Sequence, residues 1–489
     1  MKSLEVLSVE EMYVVDQSAI NAELTHELLM ENAGVAVSEE IQRHWPATNT
    51  IILCGPGANG GDGWVIARQL AKAGWPVKVA SLVDPKQLKG SSSIHANRWG
   101  RLVEPATPNA LLGSNLIVDA LFGAGLNRNL KNSEAALVKA MDEHPAPVIS
   151  VDLPSGVNGN DGQVMGAAAK AAMTVTFFRK KPGHLLAPGR FLAGKTIVAD
   201  IGIPEPLAGA AKVFENAPPL WNNTPSELNL LGHKYSRGHV LVVGGKETTG
   251  ASRLAARAAL RGGAGLVTIA APSEAWPIYA ASELEVMVRS ISGPTGLADL
   301  LQDPRYSTVI LGPGLGVNEE TQDFVKIAAR SKRNLVLDAD ALTAFAEHPK
   351  DLFDTLEQTP QVILTPHAGE FRRLFPDAEG SKLNQAKMAA FRAHANLILK
   401  GPDTVIAAPD GKAAINTNGP AWLATAGSGD VLAGIVGGLM SEGTSAFDAA
   451  AAGVWLHGAS AARLGRGMIA SDIINVLPQA FTDAASFVK

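Results

Sequence analysis

Short β-branched runs that end in glycine or an acid alternate along this chain with alanine-rich stretches of helical spacing. In the first half the runs fall at residues 50–57, 76–83, 116–123, 147–156, 173–178 and 196–204. A second series falls at residues 239–245, 307–314, 334–342, 361–367 and 396–411. This alternation is typical of βαβ units on a mostly parallel sheet, so it predicts an α/β fold.

The chain is too long for a single core of this kind. At 489 residues it exceeds the size at which one hydrophobic core stops growing, and two domains are expected. Residues 214–227 are rich in Pro and Asn, lack any periodicity and are predicted to be the linker. We therefore expect one domain at residues 1–222 and a different α/β domain at residues 226–489.

The net charge and the cysteine content restrict which partners and which cellular compartment are expected for this chain. A formal net charge of −5 argues against nucleic acid or an anionic membrane as the main partner. No stretch reaches the roughly 18 to 20 apolar residues of a membrane span. The single cysteine, Cys54, excludes an internal disulfide, and the opening stretch "MKSLEVLSVEEMYVVD" does not resemble a signal peptide. These features predict a cytoplasmic location.

Three polar clusters follow strands of the first half: "GPGANGGDG" (55–63), Asp119, and Asp152 with Ser155. Ligands of an open parallel sheet bind beyond the carboxyl ends of its strands, so these clusters are predicted to share one crevice. The glycines allow close backbone approach, and the amides leading into a helix at "GDGWVIARQ" favour an anion such as a dinucleotide phosphate. Oxygen atoms of Asn59, Asp119 and Ser155 suit a small cation.

Plainer interpretations of these clusters stay open. A glycine-rich loop after a strand is often only a tight turn, and either Asp119 or Asp152 alone is often a helix cap. Their joint occurrence at three strand ends favours a binding site. The absence of "GxGxxG" with a following acid argues against an ordinary Rossmann dehydrogenase.

In the second half, "WLATAGSGDVLAG" (422–434) places several glycines where a helix is expected. Each glycine costs a helix roughly 1 kcal/mol relative to alanine, so something must approach this helix closely. Helical spacing of the apolar residues 431, 432, 435, 436 and 439 predicts a helix that begins near Ser428. The amides of residues 427–429 are then predicted to form an anion hole.

Asp430 is predicted to be a base in phosphoryl transfer. A carboxylate beside an anion hole can take the proton from a substrate hydroxyl while the amides hold the phosphoryl group that this hydroxyl attacks. The alternative is a helix cap at this position.

Six motifs follow one another in the second half: "GGAGLVTIA" (262–270), "GPGLG" (312–316), "LDADAL" (337–342), "LTPHAGEF" (364–371), "KGPDT" (400–404) and "NTNGPAWLATAGSGD" (416–430). Through these motifs the second half resembles the NAD(P)H-hydrate dehydratase branch of the ribokinase-like superfamily. Through "GPGANGGDG", "DALFGAG" and "VDLPSG", the first half is similar to the NAD(P)H-hydrate epimerase domain. Together they follow the order of the bifunctional NAD(P)H-hydrate repair family. Ala58 departs from the family pattern, where a second Asn is frequent.

The resemblance implies a Rossmann-like three-layer sandwich followed by a ribokinase-like α/β domain. It implies that the R and S hydrates of NADH and NADPH are interconverted, and that the S epimer is dehydrated with ADP as co-substrate, releasing AMP and phosphate. Potassium in the epimerase domain and magnesium in the dehydratase domain follow from the same likeness. We also expect a homo-oligomer that acts on small molecules.

The resemblance also assigns residues. In the epimerase domain, hydrate binding falls at Ala58, Asn59, Gly60, Gly61, Asp62, Gly123, Ala124, Gly125, Leu126, Asn127, Arg128, Asn129 and Asp152. Potassium falls at Asn59, Asp119 and Ser155. In the dehydratase domain, Asp430 matches the catalytic base and contacts the hydrate together with Ala251, Gly314 and His367. The nucleotide falls at Lys400, Gly401, Pro402, Asp403, Thr404 and Gly429.

Asp152 is predicted to be the catalytic acid and base of epimerisation. Inverting the hydroxyl-bearing carbon moves a proton between hydroxyl and ring nitrogen, for which one alternating carboxylate is enough. Asp119 is the competitor, but a cation bound there would keep it ionised and unable to donate.

Other interpretations remain for single residues and for both halves. His367 could bond a loop carbonyl, and Lys400 could be a solvated charge at a strand end. The second domain could be an ATP-dependent kinase of a vitamin hydroxyl, of the hydroxyethylthiazole type. The first domain could be a binding or scaffold module without turnover.

Overall fold

The computed structural model describes residues 3–209, 211–221, 232–282 and 284–487, and it divides into two compact units. The first unit ends at Ala211 and the second begins at Lys212. Each unit is built on one mainly parallel sheet with helices between its strands, so the predicted two-domain α/β class is confirmed. None of the helices in the described ranges has the length and apolar character needed to cross a bilayer.

The first unit contains seven described strands and six α-helices. The strands are β1 (Thr50–Cys54), β2 (Val77–Ser81), β3 (Glu104–Pro105), β4 (Leu116–Ala120), β5 (Val148–Val151), β6 (Met173–Phe177) and β7 (Lys195–Ala199). The helices are α1 (Val9–Asn21), α2 (His26–His44), α3 (Ala58–Lys72), α4 (Gly90–Trp99), α5 (Asn132–Glu143) and α6 (Gly189–Leu192).

The strand order of this sheet is β3-β2-β1-β4-β5-β6-β7, and every described pairing is parallel. Successive residues of β1 enter different cores: Ile52 and Cys54 pack with α1 to α4, whereas Ile51 and Leu53 pack with α5. Both faces of the sheet are therefore covered, as a near-continuous apolar strand requires. This arrangement is the predicted Rossmann-like three-layer sandwich.

The second unit contains ten described strands and eleven α-helices. The strands are β8 (Val213–Glu215), β9 (His239–Val243), β10 (Leu266–Pro272), β11 (Met287–Ile291), β12 (Thr308–Leu311), β13 (Asn334–Leu337), β14 (Val362–Leu364), β15 (Asn396–Leu399), β16 (Val405–Ala407) and β17 (Ala413–Ile415). The helices are α7 (Thr249–Arg261), α8 (Trp276–Ala280), α9 (Gly293–Leu300), α10 (Glu319–Arg330), α11 (Asp340–Thr343), α12 (Pro349–Leu356), α13 (Ala368–Leu374), α14 (Lys382–Arg392), α15 (Ser428–Ser441), α16 (Ala446–Leu464) and α17 (Ala470–Ser486).

Its sheet has the order β11-β10-β9-β12-β13-β14-β15-β16-β17-β8. The pairings are parallel from β11 to β15, and β16 runs antiparallel to both β15 and β17. Helices α7, α15, α16 and α17 share the large core on one face of this sheet. The sheet is consistent with the predicted second α/β domain.

The linker prediction for residues 214–227 is wrong over residues 214–221. Strand β8 pairs in parallel with β17, and Trp221 is buried in the core of the second unit. The Asn216 side chain donates to the Ala451 carbonyl oxygen at 2.8 Å. Pairing with a strand 200 residues away leaves no local periodicity to detect. Residues 222–227 lie outside the described part of the chain. The predicted domain limits at 222 and 226 stay a prediction.

Candidate active sites

A cleft of about 630 Å³ lies in the first unit, lined by the loops that follow β1 and β4. The strand order reverses between these two strands, which is where open α/β sheets bind ligands. The predicted residues that line the cleft are Ala58, Asn59, Asp62, Gly123, Ala124, Gly125, Leu126, Asn127, Arg128 and Asp152. Gly60, Gly61 and Asn129 are not among its lining residues.

Helix α3 begins at Ala58, earlier than the predicted start near Gly61. Gly60 and Gly61 therefore lie inside the helix, where they permit close packing. A Cβ on Gly60 would lie 1.9 Å from the Gly55 carbonyl oxygen, and one on Gly61 would lie 2.4 Å from Met30 Sδ. These two glycines are thus explained by packing within the unit.

Asp152 directly follows β5 with a left-handed backbone, at φ +65°. Such a conformation is uncommon for a residue other than glycine and is frequent at functional positions. Asp152 Oδ1 accepts from Lys181 Nζ at 2.8 Å and from Thr176 Oγ1 at 2.9 Å, and Oδ2 accepts from the Ala124 amide at 2.9 Å. The carboxylate is therefore an ion-paired acceptor in the cleft, and the helix-cap alternative is wrong.

Lys181 and His184 fix the protonation of this group. Burial alone would raise the pKa of Asp152, but the charge and hydrogen bond of Lys181 outweigh burial and lower that pKa to about 2. His184 Nδ1 accepts from the Lys181 amide, and its Nε2–H donates to the Asp152 carbonyl oxygen at 2.6 Å. Burial and the nearby Lys181 lower the pKa of His184 to about 4. His184 is therefore neutral, and its two hydrogen bonds hold the backbones of Lys181 and Asp152 in position.

Asp119 is fully buried at the end of β4. Its Oδ1 accepts from Ser155 Oγ at 2.6 Å, and its Oδ2 accepts from the Ser155 amide at 2.8 Å. Burial raises the pKa of Asp119. Asn59 Nδ2 is buried and has no hydrogen-bond partner. Asp119 and Ser155 are thus in contact as predicted, and Asp119 does not cap a helix.

Sequence reasoning missed Asp16, Lys181 and His184 in this unit. Lys181 and His184 lie in the loop after β6, where inspection of every strand end could have found them. Asp16 lies on α1 and lines the cleft beside Asp62. No strand-end rule points to a residue of a preceding helix.

In the second unit, α15 begins at Ser428 as predicted, and Gly427 precedes it with φ +82°. Two glycines of this helix are explained by close packing against another helix. A Cβ on Gly434 would lie 2.2 Å from the Ala255 carbonyl oxygen of α7, and one on Gly438 would lie 2.4 Å from that of Ala259. The element that approaches α15 is therefore α7.

The amino end of α15 faces a buried ion pair. Lys400 Nζ, at the end of β15, donates to Asp338 Oδ1 at 2.8 Å. A Cβ on Gly429 would lie 3.4 Å from Lys400 Nζ and 3.6 Å from Asp338 Oδ2. The amides at a helix start have no intrahelical partner, although the Ser428 amide donates to the Thr425 carbonyl at 3.3 Å. Lys400 is consequently not the solvated charge that the alternative proposed.

Asp430 lies in the first turn of α15 and is not its cap residue, which is Gly427. Burial and the charge of Asp338 raise the pKa of Asp430 to about 6, although Lys400 acts in the opposite direction. A carboxylate that titrates near neutral pH can both take and return a proton. The structure therefore supports a proton-transfer role over a cap.

The segment that follows Lys400 forms a tight turn. The Thr404 hydroxyl donates to the Gly401 carbonyl oxygen at 2.9 Å and accepts from the Gly401 amide at 3.2 Å. The buried Asp403 pairs with Lys382 Nζ at 2.5 Å. Residues 400–404 are thus pre-ordered as a unit at the carboxyl end of β15.

The other predicted residues lie after neighbouring strands or on α7. Gly314 follows β12, and a Cβ there would lie 2.3 Å from the Thr248 carbonyl oxygen, near the start of the helix that carries Ala251. His367 is exposed after β14, where its Nδ1 accepts from the Gly369 amide at 2.8 Å and caps α13. The alternative of a bond to a loop carbonyl is therefore replaced by a helix cap.

Three further residues at this site escaped sequence reasoning: Asp338, Glu370 and His457. Asp338 directly follows β13, so the strand-end rule could have found it. Glu370 and Asp338 outweigh burial and raise the pKa of Lys400. His457 Nε2 lies 3.1 Å from Ser428 Oγ, and no local sequence pattern predicts this contact between two helices.

Comparison with known proteins relates both units to described families. The family model described as NAD(P)H-hydrate dehydratase matches residues 240–479, and that described as YjeF-related protein N-terminus matches residues 26–183. The bifunctional NAD(P)H-hydrate repair enzyme of Moorella thermoacetica is 39% identical, over 92% of this chain and 91% of that protein. The chain belongs to the family of bifunctional NAD(P)H-hydrate repair enzymes.

A second family member shows the same relationship. The family member of Escherichia coli is 33% identical over 92% of this chain and 88% of its own length. Among solved structures, an ADP/ATP-dependent NAD(P)H-hydrate dehydratase of Bacillus subtilis, co-crystallised with ATP and Mg²⁺, is 27% identical with a TM-score of 0.47. It covers 55% of this chain and 98% of its own chain.

Membership of the NAD(P)H-hydrate repair family confirms what the motifs predicted. The chain is a bifunctional enzyme of small-molecule metabolism, with an epimerase domain followed by a dehydratase domain. The alternatives of a vitamin kinase and of a scaffold module without turnover are therefore wrong.

Proposed function

We propose that the first unit interconverts the R and S hydrates of NADH and NADPH, and that the second dehydrates the S hydrate with ADP. The observation that carries the second activity is Asp430, whose pKa is raised to about 6 at the start of α15, beside Lys400. A kinase-like site needs a group that accepts a hydroxyl proton and cations that hold the phosphoryl group. Family membership supports the hydrate as the substrate.

Dehydration begins at Asp430. Its carboxylate takes the proton of the hydrate hydroxyl, the hydroxyl oxygen attacks the terminal phosphorus of ADP, and AMP departs. The carbon–oxygen bond of the phosphorylated hydrate then breaks with the help of the ring-nitrogen lone pair. Loss of a proton from the adjacent carbon regenerates the dihydronicotinamide. Phosphorylation is needed because hydroxide is a poor leaving group.

The nucleotide is assigned to Gly429 and to the turn after β15, and the hydrate to four other residues. The turn comprises Lys400, Gly401, Pro402, Asp403 and Thr404. The hydrate residues are Ala251, Gly314, His367 and Asp430. Asp338 Oδ2 lies beside Gly429, so Asp338 fits a magnesium ion that is otherwise held by phosphate oxygens and water. The described residues contain no cluster of three His, Cys, Asp or Glu that would hold a metal alone.

In the first unit we assign the hydrate to the cleft and Asp152 to its hydroxyl. The hydrate residues are Ala58, Asn59, Gly60, Gly61, Asp62, Gly123, Ala124, Gly125, Leu126, Asn127, Arg128, Asn129 and Asp152. Asp152 Oδ2 accepts one amide hydrogen bond, which leaves a lone pair for a substrate hydroxyl. Its Lys181 partner holds it ionised, so we propose that it orients that hydroxyl as a fixed acceptor, in place of the acid and base role that the sequence predicted for it.

Potassium is proposed at Asn59, Asp119 and Ser155. A fully buried carboxylate without a cation is costly, and among the described residues no basic side chain pairs with Asp119. The side-chain amide nitrogen of Asn59 is a buried donor without a hydrogen-bond partner, and the amide oxygen of the same side chain is the atom that suits a cation. Oxygen donors of this kind fit a hard cation, which would supply positive charge next to the cleft.

A homo-oligomer and a cytoplasmic location complete the proposal. The single, buried cysteine supports the cytoplasmic location.

The test uses the full-length chain with a mixture of hydrate epimers and either ADP or ATP. We expect complete recovery of reduced-nicotinamide absorbance with ADP and release of AMP and phosphate in equal amounts. Accumulation of a phosphorylated hydrate without recovery of absorbance would contradict the dehydratase assignment. Recovery that stops with one epimer untouched, after correction for spontaneous exchange, would contradict the epimerase assignment.

A further inference from the structure

Three carboxylates line the cleft of the first unit: Asp16 from α1, Asp62 from α3 and Asp152 from the end of β5. The same cleft is lined by the basic groups Lys181, Arg128 and His26. Epimerisation at the hydroxyl-bearing carbon needs a group that both takes and returns a proton. The inference below rests on the epimerase function proposed above and asks which carboxylate performs that task.

Asp152 is poorly suited to carrying the proton. Three donors point at its two oxygens, from Lys181, Thr176 and the Ala124 amide. Lys181 also donates to Thr176 Oγ1 at 2.9 Å and to the Phe177 carbonyl oxygen at 3.4 Å, so its ammonium is held in place. Protonating Asp152 would leave the buried Lys181 charge without its ionised partner.

Asp16 differs from Asp152 in each of these respects. It is half-buried, and within the described part of the chain its carboxylate has no hydrogen-bond or ion-pair partner that would fix it as ionised. Burial and the nearby negative charge of Asp152 raise the pKa of Asp16 to about 6, although Lys181 and His26 act against them. Such a group is mostly ionised at neutral pH and returns a proton readily.

The remaining charges around α1 do not replace Asp16. Asp62 is buried, and burial with the charges of Asp152 and Asp16 raises its pKa well above the ordinary range, which favours its neutral form over the ionised base that the reaction needs. Residues 205–208 also pack against α1, and their one charged residue, Glu205, is paired with Arg179.

We propose that Asp16 is the catalytic residue that carries the proton in epimerisation, while Asp152 stays ionised and orients the hydroxyl. Asp16 takes the hydroxyl proton as the carbon–oxygen double bond forms and the carbon–nitrogen bond breaks. The electron pair of that bond moves to the ring nitrogen, which receives the proton from Asp16. After rotation of the aldehyde the steps reverse on its other face. No proton is consumed.

The assignment of different roles follows a general rule of acid–base sites. Where two carboxylates share a site and their surroundings push their pKa values apart, the group near the working pH carries the proton. In this cleft Asp152 has its ion pair with Lys181, whereas Asp16 has no such pair among the residues that the structure describes, and this difference creates that separation.

The experiment measures epimer exchange by the full-length chain with purified hydrate and no nucleotide, so that dehydration cannot occur. NMR follows the two epimers from pH 5 to pH 8 for the wild type, Asp16→Asn, Asp16→Glu and Asp152→Asn. Glu39→Gln, an exposed change on α2, is the matched control. We expect Asp16→Asn to exchange roughly 10²- to 10⁴-fold more slowly and to lose the wild-type fall in rate below about pH 6.

The outcomes separate this inference from the proposed function. No exchange by the wild type would overturn the epimerase function itself. An Asp16→Asn variant that exchanges within a few-fold of the wild type, with the same pH dependence, would overturn the role of Asp16 alone. Loss of the pH inflection in Asp152→Asn but not in Asp16→Asn would show that Asp152, and not Asp16, carries the proton. If Asp16→Asn does not fold, Asp16→Glu decides: we expect a slower rate with the inflection kept, and its absence overturns the inference.

Discussion

Both sites place a lysine against an aspartate at the end of a parallel strand, and each holds a second carboxylate on a helix. In the first unit Lys181 pairs with Asp152 after β5, and among the described residues Asp16 of α1 has no direct ion-pair partner. In the second unit Lys400 pairs with Asp338 after β13, and in the described part of the chain Asp430 of α15 likewise has no direct ion-pair partner. The carboxylate without a direct lysine partner has a pKa of about 6 in each case.

The comparison teaches that the partner of the lysine decides which acid can move a proton. A direct ion pair favours the ionised form, whereas burial alone favours the neutral form. Asp152 and Asp338, at the strand ends, are therefore hydrogen-bond acceptors that each hold a lysine in place. Asp16 and Asp430, on helices, have pKa values of about 6. The two units reach this division with different strand orders and different loops.

The largest expected effect comes from Asp430→Asn. Because Asp430 accepts the hydroxyl proton, dehydration should fall by roughly 10²- to 10⁴-fold while ADP affinity stays within a few-fold. Single-turnover kinetics and nucleotide titration measure the two quantities. Asp299→Asn, an exposed change on α9, is the control. Near-normal turnover in Asp430→Asn would show that Asp430 does not accept the proton, so that Asp16 and Asp430 would not share one role.

Lys181→Met tests the direct pair of the first unit. It leaves a buried Asp152 without a cation, so the free energy of unfolding should fall by about 3–5 kcal/mol at neutral pH. The folded pKa of Asp152 lies below its ordinary value, so the pair stabilises above that value and its contribution is lost as pH falls toward about 2. Denaturant unfolding should therefore show a difference from the wild type that shrinks below about pH 4.

The double variant Lys181→Met/Asp152→Asn supplies the control for that interpretation. Removing the stranded charge should restore much of the lost stability, because an unpaired buried ion costs more than an absent pair. A double variant as unstable as Lys181→Met would show that lost packing of the lysine, and not the charge, explains the effect.

The comparison assumes that each unit builds its own site, which two truncated chains can test. A chain of residues 212–489 keeps β8 and Trp221, whereas one of residues 226–489 removes both. Loss of a buried tryptophan alone costs about 3–5 kcal/mol, so the shorter chain should unfold at a clearly lower temperature. We expect the longer chain to dehydrate only one epimer. Equal stability of the two chains would place β8 outside the second unit.

The smallest effect is expected for Asp338→Asn when it is measured at saturating Mg²⁺, so that loss of a proposed magnesium ligand does not limit the rate. It removes a charge that raises the pKa of Asp430 and frees Lys400, which lowers it. The pH at which dehydration is half-maximal should therefore move from about 6 toward lower pH, by about one unit. A pH–rate profile measures the shift. A midpoint that stays in place or moves to higher pH would show that Asp338 does not control Asp430.

The strand pattern and the glycine motifs determined much of this protein. Runs such as residues 116–123 and 334–342 contain β4 and β13 because β-branched residues suit strands buried on both faces. The strand-end rule also found Asp119 and Asp152, since such sites require polar groups at the ends of apolar runs, whereas Lys400 was found through the family resemblance of "KGPDT". The start of α15 at Ser428 followed from apolar spacing alone.

Only the tertiary structure determines which charged side chains lie close to one another. Strand β8 looked like a linker because its partner β17 is 200 residues away in the chain. The start of α3 at Ala58 was hidden by glycines whose reason is a Met30 side chain and a loop carbonyl. Asp16 and Asp430 have pKa values near 6 because burial and the nearby charges of Asp152 and Asp338 outweigh the lysines, which pair with those other carboxylates. Local sequence fixes which groups are present, but a pKa depends on desolvation and on charges a few ångströms away in space, which only the packed fold determines.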